Sequence, residues 1–434
     1  MAKQAGETLS RKWEWVERSI WTDRMLEALD QGVKGGVWFS LIDKVYRPGT
    51  LELAFRKVRA NKGAPGIDRQ SIQQFAAREQ EYLRKLNELL EQDLYEPQPV
   101  RRVYIEKPGG KGQRPLGIPT IRDRVVQSAL RAVLEPIFER RFHDRSYGFR
   151  PGRGCRDALR EVDRLLKAGY THVVDADIQG YFDNMDHDRL MGEVHRDVAD
   201  GRVLGLLEKY LSQAVMDGLK TWTPEEGTPQ GAVISPLLAN IYLDPVDHAV
   251  AEAGYEMVRY ADDFVILCRS REEAEEALNL IRTQMEERKL TLHPEKTRIA
   301  DVLRRGEGFD FLGYHFERGK RWPRRKSVQK LKDRLRPLTR RTSGNSLEYT
   351  VVRINRTLTG WFEYFKHCSE VGLSSVDSWI RGRLRSILRK RSGRRGRARG
   401  RDHQLWPNAY FRKLGLFCLE DARLAALQSL RGNC

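Results

Sequence analysis

Two adjacent carboxylates lie between apolar runs in the segment Glu256-Met-Val-Arg-Tyr-Ala-Asp-Asp-Phe-Val-Ile-Leu-Cys268. An Asp-Asp pair is most often part of a solvated turn, but the flanking β-branched and aromatic residues predict two strands joined by a tight hairpin. Adjacent like charges repel each other, and burial between apolar strands makes each carboxylate costly to ionise. We therefore expect Asp262 and Asp263 to lie at a hairpin tip with a positive partner beside them.

A third carboxylate is expected from the segment Thr171-His-Val-Val-Asp-Ala-Asp-Ile-Gln-Gly-Tyr-Phe-Asp183. An apolar run ends there at Asp177, and an aromatic residue, Phe182, follows five positions later. Mg²⁺ binds through one or two carboxylates together with substrate phosphates, so carboxylates gathered in this way would suit it. The sequence predicts that Asp177 joins Asp262 and Asp263 in one acidic site.

The overall composition favours a nucleic-acid partner. Lys and Arg number 78 against 60 Asp and Glu, which gives a formal net charge of +18 and a pI near 9.7. Such a balance is typical of proteins that bind a phosphate backbone, although a membrane-surface protein could share it. No stretch approaches the roughly 20 apolar residues that a membrane span requires, so we expect a cytoplasmic protein with no membrane partner. The five cysteines form no Cys-x-x-Cys pair, which disfavours a structural zinc site.

Further motifs follow one another along the chain, at residues 61–68, 114–120, 146–152, 227–240, 292–297 and 309–314. Together with the carboxylate segments, this series resembles bacterial group II intron reverse transcriptases and maturases, from about Lys44 to the end of the chain. One departure is Ala232 after Pro229-Gln230-Gly231, where many members have a second glycine. The backbone freedom lost is small, so no loss of activity is expected from it. The Cys-poor C-terminal region resembles the endonuclease-lacking, group IIC-like members.

The resemblance implies an α+β fold of the right-hand polymerase type. Fingers and palm with an antiparallel sheet are expected over residues 44–320, and an all-helical thumb or maturase X domain over 321–395. A basic arm and a C-terminal maturase or DNA-binding-like element would occupy 396–434. Residues 1–43 form a Trp-rich helical extension, which we expect to pack on the polymerase domain rather than to contact RNA.

Helical periodicity adds local predictions to this domain plan. Helices are expected over residues 17–29, 122–141, 271–288, 327–341, 346–366 and 376–391. The Gly- and Arg-rich run 389–401 is too charged to fold alone, so we expect an arm that is disordered or ordered by RNA. A plain solubilising linker is the alternative.

The resemblance also assigns roles in catalysis. Asp177, Asp262 and Asp263 would be catalytic and, with the backbone of Ile178, would bind two Mg²⁺ ions, for which Mn²⁺ could substitute. Template and primer would meet three residues, Arg150, Tyr260 and Gly313. For Arg150, an alternative role is to hold the fingers.

The incoming nucleotide would meet a second set of residues: Lys107, Arg114, Phe182, Gln230 and Lys296. The two hairpin cations, Lys107 and Arg114, would clamp the triphosphate, unless the hairpin is merely a basic surface loop. The ring of Phe182 would exclude a 2′-hydroxyl, with an ordinary core aromatic as the alternative. Lys296 would protonate the leaving pyrophosphate, with a solvated lysine as the alternative.

The function implied is an RNA-directed DNA polymerase that copies group II intron RNA and also binds that RNA as a splicing maturase. Its partners would be intron RNA, an RNA template with a DNA primer, target DNA and deoxynucleoside triphosphates. Two alternatives stay open: a maturase without polymerase activity, and a domesticated relative that serves DNA repair or defence. The intact carboxylates favour polymerisation, Ala261 favours the intron branch, and Phe182 disfavours an RNA-dependent RNA polymerase.

Overall fold

The computed structural model describes residues 12–33, 35–106, 112–369, 372–396 and 399–431. The chain divides into two compact units, Met1–Ile299 and Ala300–Cys434. The expected domain boundaries at 43, 320 and 395 remain predictions. None of the described helices combines the length and the apolar composition needed to span a lipid bilayer.

The first unit mixes helices with two small sheets. Helices α1 to α11 are, in chain order, Asp23–Gln31, Ile42–Tyr46, Pro48–Asn61, Ile72–Ala77, Glu79–Glu91, Ile121–Glu139, Cys155–Lys167, His187–His195, Gly201–Leu211, Ser235–Glu252 and Arg271–Glu287. Strands β1 to β7 are Val100–Glu106, Gln113–Ile118, His172–Asp177, Val215–Asp217, Lys220–Trp222, Glu256–Tyr260 and Asp263–Cys268. The boundary between the two units falls within β8, Arg298–Asp301.

Strand β7 is the central element of the sheet that carries the acidic residues. It pairs antiparallel with β6 on one side and with β3 on the other. Its apolar residues, Phe264 to Cys268, are all buried, because helix α11 packs against both β3 and β7. A strand that is buried on both faces has a continuous apolar run rather than an alternating one. This is the pattern by which the sequence predicted it.

The second sheet of this unit has the strand order β2-β1-β4-β5. Strands β1 and β2 form the expected antiparallel hairpin, and its tip, residues 107–111, lies outside the described residues. The short pairing of β1 with β4 is parallel, whereas β1 with β2 and β4 with β5 are antiparallel. Helix α6 packs against α3 and α10, and it is buried around most of its circumference.

The tryptophan-rich N-terminal segment is part of the core of the first unit. The Trp21 side chain is fully buried, and its Nε1 donates a hydrogen bond to the carbonyl oxygen of Ala132 at 3.2 Å. Its ring contacts Trp38 edge to face at 5.1 Å. The expectation that this segment packs on the polymerase domain is confirmed. The predicted helix begins later than expected, at Asp23, because the Thr22 side chain caps it.

The second unit begins with a three-stranded sheet and continues with helices. Strands β9 to β11 are Phe309–Phe311, Tyr314–Glu317 and Lys320–Pro323, in the order β11-β10-β9. Helices α12 to α17 are Arg325–Leu338, Leu347–Phe365, Leu373–Arg391, Gly400–Leu405, Asn408–Lys413 and Leu419–Arg431. The helices predicted over 327–341, 346–366 and 376–391 are confirmed as α12, α13 and α14.

The described part of the basic run 389–401 folds around one buried carboxylate. Asp402 accepts hydrogen bonds from Arg389 at 2.7 Å and from the backbone N–H of Arg399 at 2.8 Å, and it forms an ion pair with Arg394 at 3.5 Å. These contacts argue against disorder in the described residues, and the expectation of an arm that is ordered by RNA stays a prediction. The composition of the run could not show that Asp402, one residue beyond it, forms ion pairs with Arg389 and Arg394.

Replacing Trp21 with alanine is expected to lower the free energy of unfolding by about 3–5 kcal/mol, because a fully buried indole leaves a cavity and an unpaired carbonyl oxygen. Trp15→Ala is the control of the same residue type, since that side chain is 36% exposed and its loss should cost less than the loss of Trp21. Chemical denaturation of both variants measures the difference. Equal stabilities would show that the N-terminal segment is not part of the cooperative core.

Candidate active site

The two strands β6 and β7 are joined by a two-residue turn, Ala261-Asp262, closed by the pair Tyr260 and Asp263. Ala261 has a φ of 60°, a left-handed conformation that non-glycine residues rarely adopt. Gly148 lies directly against this turn, and a Cβ added to it would come 2.2 Å from the Ala261 nitrogen. The turn is therefore fixed in position by a neighbouring loop that leaves no space for a side chain.

A buried arginine supports the turn from below. Arg259 donates to the Asp247 carboxylate at 2.7 Å, to the Asn240 side-chain oxygen at 3.0 Å and to the Ala261 carbonyl oxygen at 3.0 Å. Arg259 and Asp247 are both 1% exposed. Burial by itself lowers the pKa of Arg259, but the Asp247 carboxylate outweighs it and the pKa is raised. This guanidinium thus stays charged beneath the carboxylates.

Sequence reasoning did not identify Arg259 as a functional residue. The available signal was a charged residue inside an apolar strand, between Val258 and Tyr260. A buried charge is costly unless it is paired, so its position implied a partner. The partner, Asp247, lies on helix α10 and could be found only in the folded structure.

The three predicted carboxylates are brought together at the end of the β3–β7 pair. Asp177 and Asp263 are direct partners in the strand register, so their side chains lie on the same face. Burial raises the pKa of Asp262, and the charge of Asp177 raises it further. The guanidinium of Arg114 opposes this shift of the Asp262 pKa, and so does that of Arg259.

A positive partner is present in the acidic site, and it pairs with Asp177, whereas the expectation concerned Asp262 and Asp263. The Lys296 ammonium donates to Asp177 Oδ2 at 2.6 Å, and both side chains are partly exposed. The Arg114 side chain is exposed on β2. Lys296 and Arg114 therefore approach the acidic site from two separate segments of the chain. Their positive charges offset the repulsion between the carboxylates.

Among the described residues, no three His, Cys, Asp or Glu side chains are close enough to form a complete metal site by themselves. The chemistry of the donor set nevertheless fits a hard divalent cation, because Asp177 and Asp263 are like charges directly opposite each other. Mg²⁺ commonly takes its remaining ligands from water and substrate phosphates. The Ile178 side chain is a hydrocarbon without donor atoms and is buried in the core, so only the backbone oxygen of this residue is suited to a metal.

The segments that carry Phe182 and Gln230 are joined by two hydrogen bonds. The Phe182 carbonyl oxygen accepts from the Thr228 N–H at 2.7 Å, and Gln230 Nε2 donates to Asp183 Oδ2 at 3.3 Å. Both Phe182 and Gln230 line a cavity of about 280 Å³. The remaining predicted nucleotide contact, Lys107, lies outside the described residues.

Arg150 is buried, and its guanidinium forms hydrogen bonds to residues that precede it in the chain, between positions 139 and 146. Its guanidinium pairs with Glu139 at 2.8 Å and donates to the carbonyl oxygens of His143, Ser146 and Phe142. All five N–H groups therefore have internal acceptors. This geometry favours the role of holding the fingers and argues against direct contact with the template.

The two other residues predicted to contact template or primer belong to different units. Tyr260 lies in the first unit, and its interaction with the Cys155 thiol raises the pKa of its hydroxyl to about 12. Gly313 lies in the second unit, in the turn between β9 and β10, with a φ of 85°. Leu312 before it also has a positive φ, so the turn is of type I′.

The turn at Gly313 borders a basic groove within the second unit. This groove has a volume of about 820 Å³, and its cationic lining residues are Lys330, Arg334, Arg353 and Arg356. Gly313 also holds the start of α12, because its carbonyl oxygen accepts from Ser327 Oγ at 2.9 Å. The groove is suited to a polyanion.

Comparison with known proteins agrees with this geometry. Residues 105–316 match the family described as reverse transcriptase (RNA-dependent DNA polymerase), which defines the class of the first unit. Residues 328–406 match the maturase-specific domain of group II introns. The chain belongs to the group II intron reverse transcriptase and maturase family.

Two curated relatives illustrate the similarity. The group II intron-encoded protein LtrA of Lactococcus lactis subsp. cremoris is 39% identical over 218 residues, which cover 50% of this chain and 36% of LtrA. The chain thus matches about a third of that relative. Protein YkfC of Escherichia coli (strain K12) is 36% identical over 319 residues, which cover 64% of this chain and 83% of YkfC.

Solved structures are more distant. The partial Cas6-RT-Cas1–Cas2 complex is similar with a TM-score of 0.37 and 23% identity, covering 57% of this chain and 41% of that one. Telomerase from Candida albicans gives a TM-score of 0.42 and 13% identity, covering 74% and 62% of the two chains. Similarity at this level adds nothing to the family assignment.

Replacing Gly148 with alanine is expected to displace the Ala261-Asp262 turn, because the new Cβ would overlap the turn backbone. A shift of about 1 Å in a catalytic group can cost on the order of 100-fold in rate. Gly154→Ala is the matched control, since its Cβ would meet only Asp157 Oδ2 at 3.9 Å. Steady-state primer extension measures both variants, and an equal rate in the two would contradict the role of Gly148.

Proposed function

We propose that this protein is an RNA-directed DNA polymerase that depends on divalent metal ions, with Mg²⁺ as the natural ion and Mn²⁺ as a substitute. The observation that carries the proposal is the direct opposition of Asp177 and Asp263, with Asp262 in the adjoining turn. Like charges that lie directly opposite each other are unfavourable without a cation, so this arrangement favours metal-dependent phosphoryl transfer.

The chain's own residues have distinct tasks in this reaction. Asp177 and Asp262 would hold the ions, which supply charge neutralisation and activate the primer hydroxyl when bound. The primer 3′-oxygen bonds to the α-phosphorus of the nucleotide while the bond between that phosphorus and the β-bridging oxygen breaks, releasing pyrophosphate. Lys296 is held at Asp177 and carries a proton that the leaving pyrophosphate can accept.

Substrate selection would rest on residues beside the carboxylates. Arg114 offers a bidentate cation for the triphosphate, and Lys107 is assigned the same task from the sequence alone. The ring of Phe182 is half-buried and packs edge to face on Tyr181, with centroids 5.3 Å apart, so it is held firmly enough to exclude a 2′-hydroxyl. Gln230 would contact the nucleotide from the opposite wall of the cavity.

A second function is favoured by the basic groove of the second unit. Its four cations lie on α12 and α13 within the maturase-specific region, and the phosphate backbone of structured RNA would neutralise them. We propose that this unit binds group II intron RNA and thereby acts as a splicing maturase. Target DNA as a partner and a cytoplasmic location remain predictions from the sequence.

The polymerase proposal predicts that Asp262→Asn/Asp263→Asn abolishes extension of a DNA primer on an RNA template with Mg²⁺ and deoxynucleotides. The amides preserve volume but remove the charges that hold the ions, so the rate should fall by at least about 1,000-fold. Asp188→Asn is the matched control, since that carboxylate is exposed on α8. Gel-resolved extension measures the rate.

RNA affinity should be unchanged in the double variant, because few of the basic residues contact the altered carboxylates. Long complementary DNA from the wild type alone, with equal RNA binding by both proteins, would support the proposal. Tight RNA binding by both proteins without extension by either would reject the polymerase and leave an RNA-binding maturase.

Replacing Phe182 with alanine is expected to increase ribonucleotide incorporation relative to deoxynucleotide incorporation, on the order of tenfold or more. The physical reason is that the cavity then admits the 2′-hydroxyl. The Phe39→Ala variant serves as control, because Phe39 is 63% exposed and lies away from the cavity. Single-nucleotide insertion with matched ribo- and deoxynucleotides measures the ratio, and an unchanged ratio would mean that Phe182 is only a packing residue.

A further inference from the structure

A half-buried histidine lies behind the cavity that Phe182 and Gln230 line, the cavity assigned to the incoming nucleotide. His187 is the first residue of helix α8, and its Nε2 lies 2.6 Å from the carbonyl oxygen of Gly227 in the loop 226–230. A carbonyl oxygen can only accept, so Nε2 carries the hydrogen and donates it. Gly227 lines the cavity, whereas His187 is not among its described lining residues. The histidine can therefore act on this cavity only through the loop that it holds.

The loop packs backbone to backbone on the segment of chain that precedes α8. The Gly227 N–H donates to the Met185 carbonyl oxygen at 2.7 Å, and the Thr228 N–H donates to that of Phe182, also at 2.7 Å. Gly227 has a φ of 84°, and a Cβ on it would come 2.8 Å from the Phe182 carbonyl oxygen. The approach is so close that a displacement of the loop would also displace the Phe182 backbone.

The same loop carries the opposite wall of the cavity. Gln230 lies at the end of the loop, and its Nε2 donates to Asp183 Oδ2 at 3.3 Å. The Gln230 carbonyl oxygen accepts from the Gly117 N–H at 2.7 Å, which ties the loop to β2, the strand that carries Arg114. The loop thus contacts the Phe182 segment on one side and β2 on the other. Its position sets the distance between Phe182 and Gln230, the two side chains that are proposed to select the nucleotide.

Helix α8 does not need the His187 side chain in order to begin. Asp186 caps the helix, because its carboxylate accepts from the Arg189 N–H at 3.0 Å. The other histidine of this helix, His195, bonds locally, from Nδ1 to the Met191 carbonyl oxygen at 2.7 Å. His187 is instead bonded to a residue that lies 40 positions further along the chain. Its hydrogen bond is therefore a tertiary contact that belongs to the loop.

We propose that His187 is a positioning residue, which holds the loop 226–230 by the Gly227 carbonyl oxygen and thereby keeps the cavity narrow enough to select deoxynucleotides. The effect on nucleotides rests on the proposed polymerase function, whereas the contact itself does not. The catalytic carboxylates are held by other contacts, the pairing of β3 with β7 and the bond from Arg259 to the Ala261 carbonyl oxygen. Loss of the His187 bond should therefore weaken nucleotide binding and selection more than the rate at saturating nucleotide.

Two amide substitutions separate the hydrogen bond from the mere presence of a polar side chain. In His187→Gln the amide nitrogen can take the place of Nε2 and donate to the same carbonyl oxygen. In His187→Asn the side chain is one methylene shorter, and its amide ends near the place of Nδ1, out of reach of that oxygen. His195→Asn is the control, since His195 is exposed at the other end of α8. Thermal unfolding of each variant verifies that it is folded.

The first measurement is hydrogen exchange of the full chain without nucleotides, read by mass spectrometry on peptides that cover the loop. In His187→Asn the Gly227 and Thr228 amides should exchange roughly tenfold faster than in the wild type, because their hydrogen bonds depend on the position of the loop. His187→Gln and His195→Asn should keep the wild-type exchange. Unchanged exchange in His187→Asn would overturn the proposal, whether or not the protein polymerises.

The second measurement is single-nucleotide insertion into a DNA primer on an RNA template. In His187→Asn the KM for the deoxynucleotide should rise roughly tenfold while kcat changes by less than about twofold. The preference for deoxynucleotides over ribonucleotides should fall in the same variant. His187→Gln should restore both quantities to within about threefold of the wild type, because it restores the donor. His195→Asn should behave as the wild type does.

Two kinetic results would contradict the proposal. A fall in kcat without a rise in KM would place His187 in the chemical step, and a His187→Gln variant as defective as His187→Asn would assign the effect to the packing of the ring. A wild type that extends no primer would reject the polymerase instead. The exchange measurement would then still decide whether His187 holds the loop.

Discussion

The buried ion pair between Arg259 and Asp247 is the interaction on which the catalytic end of the first unit depends. Both side chains are 1% exposed, so neither charge is stabilised by solvent. Removing one member of such a pair typically costs about 3–5 kcal/mol, because the other charge is left buried alone. The same guanidinium bonds to Asn240 on helix α10 and to the carbonyl oxygen of Ala261. One side chain thus ties a helix to the turn that presents the carboxylates.

Three features around this ion pair destabilise the folded state locally but suit a catalytic site. Ala261 adopts a left-handed conformation, Asp262 is buried enough for its pKa to be raised, and Asp177 faces Asp263 directly. Each of these features disfavours the folded state on its own, and such costs concentrate at functional sites. Gly148 and the surrounding core hold the arrangement in place, so the proposed binding of a cation would need no rearrangement of the turn.

Carboxylates within the fold also pair with arginines in the basic regions of this chain, whose net charge is +18. Glu139 engages Arg150, and Asp402 gathers Arg389 and Arg394. The cations of the second-unit groove, in contrast, surround a space of about 820 Å³. Arginines that are paired with carboxylates inside the fold stabilise the folded structure. Cationic side chains that line the groove are suited to bind RNA. Net charge alone cannot separate these two groups.

The sequence by itself determined the local features: the hairpin with Asp262 and Asp263, the strand that ends at Asp177, and the helices α12 to α14. These follow from turn chemistry and periodicity, which act over a few residues. Only the tertiary structure decided that Arg150 is used internally, that Arg259 supports the turn, and that His187 bonds to the loop 226–230. The reason is physical: whether a side chain faces a ligand depends on which partners from distant segments have already satisfied it, and spacing along the chain does not specify those partners.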